Sequence, residues 1–253
     1  MSSNGERPLR WYQGLSGYHW WVLVIAVMSW MFDCMDQRLF VLSRAPAIDE
    51  LIGWNDQADQ LRPALISEAE GEIQADVEAG AVTDAEKDKA LEDLVNSRLL
   101  EKKEELGFRQ RSASIGDIVT ALMVVGWSVG GLVFGIYGDR LGRVKTLSIA
   151  ICVYSVFTGL SGLSVGIIDF CIYRFLMGCG IGGAFATAAT LIAETMPAHA
   201  RATALGLFQA LSALGNISGS GIAYFIKPGN AYDLIGLADV SGWRLLFMIG
   251  VLP

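Results

Sequence analysis

Asp33, Asp36 and Arg38 stand inside an apolar run at residues 20–42, and Arg174 stands inside another at 167–191. Ionisable groups within membrane-length apolar segments are costly, and they mark ion or solute paths by default. Asp33 and Asp36 are neighbours at i, i+3 on a helix, with Ser29 on the same face. Two carboxylates so close in a low dielectric cannot both ionise easily, and a nearby cation changes that balance. Such a set can take up and release a proton. Arg174 is the expected cation. Asp36 lies six residues from the end of its run and Arg174 seven from the start of its own. In an up-and-down arrangement both then sit about 9–11 Å below one surface. Gln209, Ser212, Asn216 and Ser220 form a polar stripe on a further apolar run, with Asn216 at a similar depth. On this reading Asp33 and Asp36 carry protons and Arg174 tunes them. Arg38 or Arg174 holds a solute carboxylate, with Gln209, Ser212 and Asn216 as further solute contacts. The bland alternative is a structural Asp–Arg cluster that joins two helices.

The elements that must position these groups are membrane helices. Roughly 20 helical residues cross the hydrocarbon, and lipid offers the backbone no partner, so only helices or closed barrels can span it. The apolar runs are too long and continuous for barrel strands. The expected spans are 20–42, 115–137, 146–164, 167–191 and 202–226. A sixth opens at Trp243 and reaches Pro253, about half the length that a crossing requires. Basic residues in short loops set orientation. Arg7 and Arg10, then Arg140, Arg143 and Lys145, then Arg201 all fall on one side, which places the N-terminus in the cytoplasm. Arg44 dissents. The apolar run after Arg10 continues past Trp30 without a small-residue cleavage site, so it reads as a span and not as a leader.

The net charge of −7 belongs to one segment: residues 49–111 hold 17 acids and 8 bases, which leaves the rest slightly basic. Nucleic-acid binding is therefore not indicated. The segment has helical composition at 63–79 and 84–106, with Thr83 and Glu86 as a capping box and Gly80 and Gly107 as stops. Leu91, Leu94, Val95 and Leu99 give its second helix one apolar face. A helical hairpin outside the cytoplasm is expected. Cys34, Cys152, Cys171 and Cys179 all fall in apolar segments, so neither a disulfide framework nor a metal site is expected. No Ser/His/Asp set or phosphate loop points to an enzyme, and no cofactor is implied. The expected order is a cytoplasmic segment at 1–19, the first helix with its outer end at 20–51, the acidic insertion at 52–113, and the remaining helices at 114–253.

Between the second and third spans, Gly135, Asp139, Arg140, Gly142, Arg143 and Lys145 are spaced so as to resemble G-x-x-x-D-[RK]-x-G-[RK]-x-[RK]. That is the signature of the major facilitator superfamily. Arg174, Gly178 and Gly180 resemble its R-x-x-x-G-x-G, and Glu194, Pro197 and Arg201 resemble its E-x-x-P-x-x-x-R. Trp243 and Arg244 open the sixth span as is common there. The resemblance implies an all-α membrane protein: the N-terminal six-helix bundle of a major facilitator fold, with its sixth helix truncated and an extracytoplasmic hairpin inserted. It also implies gating roles for Gly135, Asp139, Arg140, Gly142, Arg143, Glu194 and Arg201. Asp139 would contact a helix of the other half, and Arg143 would pair with Glu194. Gly142 relieves a turn too tight for a Cβ. Gly131 with Gly135, Gly178 with Gly182, and Gly215 with Gly219 read as helix-packing stripes.

The Phe32-Asp33-x-x-Asp36 pattern resembles organic-acid and sialic-acid proton symporters of the superfamily. The expectation is a secondary transporter in the cell's inner or plasma membrane, moving a small carboxylate or sugar acid with protons. Its partners would be that solute, the bilayer, and either a C-terminal half or a second copy. The alternative from another class is a non-transporting sensor or scaffold whose acidic loop binds a partner.

Overall fold

A computed structural model describes residues 10–79, 81–83, 86–233 and 239–251. Arg7, Gly80, Asp84 and Pro253, which bear on the expectations above, lie outside them. Nine helices are described: α1 (Gly17–Leu51), α2 (Trp54–Glu78), α3 (Lys87–Glu105), α4 (Phe108–Leu141), α5 (Arg143–Gly162), α6 (Ile167–Thr195), α7 (Ala198–Ala210), α8 (Ser212–Phe225) and α9 (Gly242–Ile249). Two short strands, β1 (Ala231–Asp233) and β2 (Asp239–Ser241), pair antiparallel between α8 and α9, with Tyr232 opposite Val240.

The chain forms two compact units. One is built from the chain up to Arg44 and from Val119 onward, the other from Ala45–Ile118. In the first, charged and polar groups are buried within an apolar interior, and many large apolar side chains are exposed. Asp33, Asp36, Arg174, Thr158 and Ser161 are buried, while Ile25, Val41, Leu132, Ile168 and Ile217 are exposed. Lipid is as apolar as Leu and rewards no burial of it, so helices associate through small and polar residues. Among the described residues, four helices, α1, α4, α5 and α6, are long and apolar enough to cross a membrane.

Glycine lets these helices meet backbone to backbone. A Cβ at Gly178 or Gly182 would strike the carbonyls of Met123 or Trp127 on α4, and one at Gly215 would strike Met31 on α1. On α4 the contact stripe is Gly126 and Gly130, which press on Phe175 and Cys179. Gly131 makes only ordinary contact and a side chain at Gly135 would meet open space, which corrects the packing role expected for that pair. Both stripes have four-residue spacing, and only the rotation of the helix decides between them.

Helix limits differ from the apolar runs. Pro46 lies within α1 without ending it; the stop is Gly53, whose φ of 79° only glycine adopts freely. The fifth expected span is two helices, interrupted at Leu211. There the Ser212 hydroxyl donates to the Gln209 carbonyl at 2.6 Å and the Leu214 amide to Leu211 at 3.1 Å.

In the second unit, α2 begins well before Pro63, at Trp54. Helix α3 starts after Glu86 with no side-chain cap, since Thr83 donates to the Glu86 carboxylate at 2.7 Å instead of capping the backbone. Leu65 and Ala69 of α2 pack on Val95 and Leu99 of α3, with Leu91 and Leu94 alongside. Arg98 reaches back to Glu68 at 3.1 Å and Glu72 at 2.5 Å. Lys103 bonds Asp49 and lies 5.6 Å over the Trp54 ring, which in turn packs on Phe108. Because this unit has its own apolar seam, Leu99→Ala should cost it about 2–5 kcal/mol. Hydrogen exchange should then quicken in α2 and α3 while α5 and α6 keep their protection; equal quickening throughout would contradict a separate seam.

Candidate functional site

Helix α1 carries both aspartates into the interior, where Asp33 is 0% and Asp36 3% exposed; Arg174 of α6 is 0% exposed. Asp33 faces Asp36 and the Tyr154 hydroxyl of α5, and Asp36 faces Arg174 and the Thr158 hydroxyl. Just beyond α9, Gly250 presses on the same place, since a Cβ there would strike Asp36 Oδ1 and come within 2.8 Å of Thr158 Cγ2. The Arg174 guanidinium lies among three rings, 4.6 Å from Phe40, 5.2 Å from Phe170 and 4.0 Å from Phe247. Its Nη1 donates to Met177 Sδ at 3.0 Å.

Cation–π contacts return about 0.5–2 kcal/mol each, against several kcal/mol for drying an ion. Rings alone therefore do not settle Arg174, and its electrostatic partner is Asp36. Four carboxylate oxygens, Arg174 Nε and Nη2, and the hydroxyls of Tyr154 and Thr158 are buried here without a protein hydrogen-bond partner. A proton arriving on either aspartate removes one buried negative charge and supplies one donor.

Arg38 belongs to a different group. Its Nε donates to Ser220 Oγ on α8 at 2.9 Å, beside Gly219, whose missing Cβ leaves room for the arginine stem. Ser212 turns its donor back to the Gln209 carbonyl of α7 at 2.6 Å, and Asn216 donates to the Ser212 carbonyl of its own helix at 3.3 Å. Gln209 and Asn216 are exposed and Ser212 is half-buried. The expected residues therefore fall into a buried Asp33–Asp36–Arg174 set and a more open Arg38–Ser220 stripe. Sequence reasoning missed Tyr154, Thr158, Phe40, Phe170, Phe247 and Gly250. Tyr and Thr are unremarkable in a span, and the only available signal was their i, i+4 spacing on α5.

A third cluster sits at the α4–α5 turn. Gly142 has φ of 91°, and Arg143 then folds back. Its Nη2 donates to Asp139 Oδ1 at 2.6 Å and Glu194 Oε1 at 2.7 Å, and its Nε reaches both Glu194 oxygens at 3.2 and 3.1 Å. Arg140 is exposed, and Arg201 donates to the Met196 carbonyl at 3.4 Å. Gly138 makes room for the arginine, since a Cβ there would lie 2.7 Å from Arg143 Nη1.

Residues 67–253 match the family described as sugar (and other) transporter. This region holds the α4–α5 turn and Arg174 but not Asp33 or Asp36. Among curated proteins, the low affinity inorganic phosphate transporter 4 of Medicago truncatula is 33% identical over 55% of this chain and 30% of its own length. The sialic acid transporter NanX of Escherichia coli (strain K12) is 32% identical over 60% of this chain and 34% of its own. The cis,cis-muconate transport protein of Acinetobacter baylyi is 32% identical over 51% and 29%. The chain thus spans about a third of the length of the curated relatives it matches.

Gly138 and Glu194 both act on Arg143, so their effects should overlap. Gly138→Ala and Glu194→Gln should each lower the melting temperature, and the double variant should be little worse than the weaker single. Fully additive losses would mean that Gly138 does not work through the arginine.

Proposed function

The chain belongs to the sugar (and other) transporter family of the major facilitator superfamily, and from that premise we propose that it forms the N-terminal bundle of a proton-coupled carrier for a small organic anion. The observation that carries the reading is the Asp33–Asp36–Arg174 set, buried together in a bundle whose outside is apolar. Protonation of an aspartate weakens its hold on Arg174, so the arginine can respond to the proton gradient. Substrate classes come from the relatives, whose names include the anions sialic acid, muconate and phosphate beside the neutral myo-inositol.

The more open Arg38 and the Gln209–Ser212–Asn216 stripe offer a cation and polar groups for the anion itself. Gln209 and Asn216 are exposed, which leaves them free to meet an opposing bundle, a C-terminal half or a second copy, that would complete the path. The Asp139–Arg143–Glu194 cluster then serves as the inner gate, with Gly135, Arg140, Gly142 and Arg201 shaping its loops. Basic short loops support a cytoplasmic side for this cluster and the N-terminus. The protein would lie in the inner or plasma membrane, with the α2–α3 hairpin outside.

The test is reconstitution of the full-length carrier in liposomes, with labelled sialic acid, cis,cis-muconate and phosphate offered under imposed proton or sodium gradients. Accumulation of at least one anion should follow the proton gradient. Asp36→Asn should reduce that accumulation by about tenfold or more while anion exchange across the membrane persists. Full proton-driven accumulation in both Asp33→Asn and Asp36→Asn would sink the reading.

A further inference from the structure

The proton-coupling reading leaves open what holds each aspartate steady as its charge changes. Helix α5 supplies a hydroxyl for each. Tyr154 faces Asp33 and Thr158 faces Asp36. The pairs run in the same order along both helices, with i, i+3 on α1 matched by i, i+4 on α5, so the spacings differ by a single helical rise.

Of the other hydroxyls on this helix, Thr146 and Ser155 are likewise buried without a protein partner, and two bond back to the helix. Ser148 donates to the Val144 carbonyl at 3.1 Å and Ser161 to the Phe157 carbonyl at 2.7 Å. Helical Ser and Thr commonly bond back in this way. Thr158 does not, although the Tyr154 carbonyl stands in the matching position, and its hydroxyl has no protein partner within hydrogen-bond geometry. The Tyr154 hydroxyl is likewise buried and uncommitted.

Both residues are also seated tightly. Gly180 of α6 lies against Tyr154, where a Cβ would come within 2.6 Å of its backbone nitrogen and 2.7 Å of its Cβ. Gly250 lies against Thr158 and Asp36 together. The second glycine of R-x-x-x-G-x-G therefore serves α5, whereas Gly178 serves α4.

We propose that Tyr154 and Thr158 are the positioning residues of the two buried aspartates, each hydroxyl donating to its carboxylate when ionised and accepting from it when protonated. A hydroxyl can do both, because it carries one donor and two acceptor lone pairs. Rotation of one C–O bond exchanges the two roles with no backbone movement. The proton itself enters and leaves on the aspartates; neither hydroxyl is consumed. Charged and titratable neighbours are few among the described residues. Asp33 meets Asp36, Cys34 and Tyr154, Asp36 also meets Arg174, and Phe247 of α9 and Gly250 just beyond it bring no charge to the site.

This inference rests on the aspartates being the proton carriers, and the experiment separates the two. Infrared difference spectra of the full-length protein in nanodiscs are recorded against pH, with the proton as the only probe. Asp33→Asn and Asp36→Asn assign the two carboxyl bands. Tyr154→Phe should displace the frequency of the Asp33 band and its titration midpoint by about one pH unit or more, and the coupled Asp36 band by clearly less. Thr158→Val should do the converse, and Thr158→Ser should restore it. Bands that titrate but ignore both hydroxyl deletions would overturn the positioning role alone. Equal disturbance of both bands by either variant, with a lowered melting temperature, would make the hydroxyls general packing and overturn it too. Carboxyl bands that do not titrate in the parent protein would remove the proton-carrier reading and this inference with it.

Discussion

Everything in the membrane bundle follows from placing charge where no water reaches it. Arg174 cannot be left alone in such a place, and three rings, a thioether and Asp36 converge on it from α1, α6 and α9. For that to happen the helices must approach more closely than ordinary side chains allow. The glycines of α6 meet this need on two sides at once, with Gly178 and Gly182 against α4 and Gly180 against α5. The electrostatics thus dictate the packing, and the packing dictates where small residues must fall.

How far the sequence discloses this depends on the kind of signal. Asp33, Asp36 and Arg174 stand out because a charge in an apolar run has no cheap explanation, and their depths follow from helical rise alone. Tyr154 and Thr158 leave no such trace, since a hydroxyl is cheap in a span and its importance lies in which neighbour it meets. The sequence offers Arg38 and Arg174 alike as holders of a solute carboxylate, yet Arg38 turns toward Ser220. Side-chain direction, not depth, decides that difference. The α4 glycines make the same point: two stripes share one spacing, and only tertiary contact selects Gly126 and Gly130.

Element boundaries were harder to read than element identity, for local reasons. Hydropathy ends where polar residues begin, but a helix ends where its backbone can turn. Helix α1 continues through Pro46 to a left-handed Gly53, and α4 starts directly after a left-handed Gly107. The break at Leu211 depends on one serine hydroxyl claiming one carbonyl. The β1–β2 pair contains too few residues for alternation to register.

Arg244 donates to the carbonyls of Gly162 and Ser164 at 3.0 and 2.9 Å, and its helix also brings Phe247 over Arg174 and Gly250 onto Asp36. During synthesis these groups leave the ribosome long after α5 and α6 do. The earlier helices must therefore enter the bilayer with their inward charges unshielded and with open carbonyls at the turn between them. Arrival of α9 closes both deficits in one step. Assembly is thus ordered by chain polarity: the insertion machinery has to shelter a half-made polar interior until α9 docks.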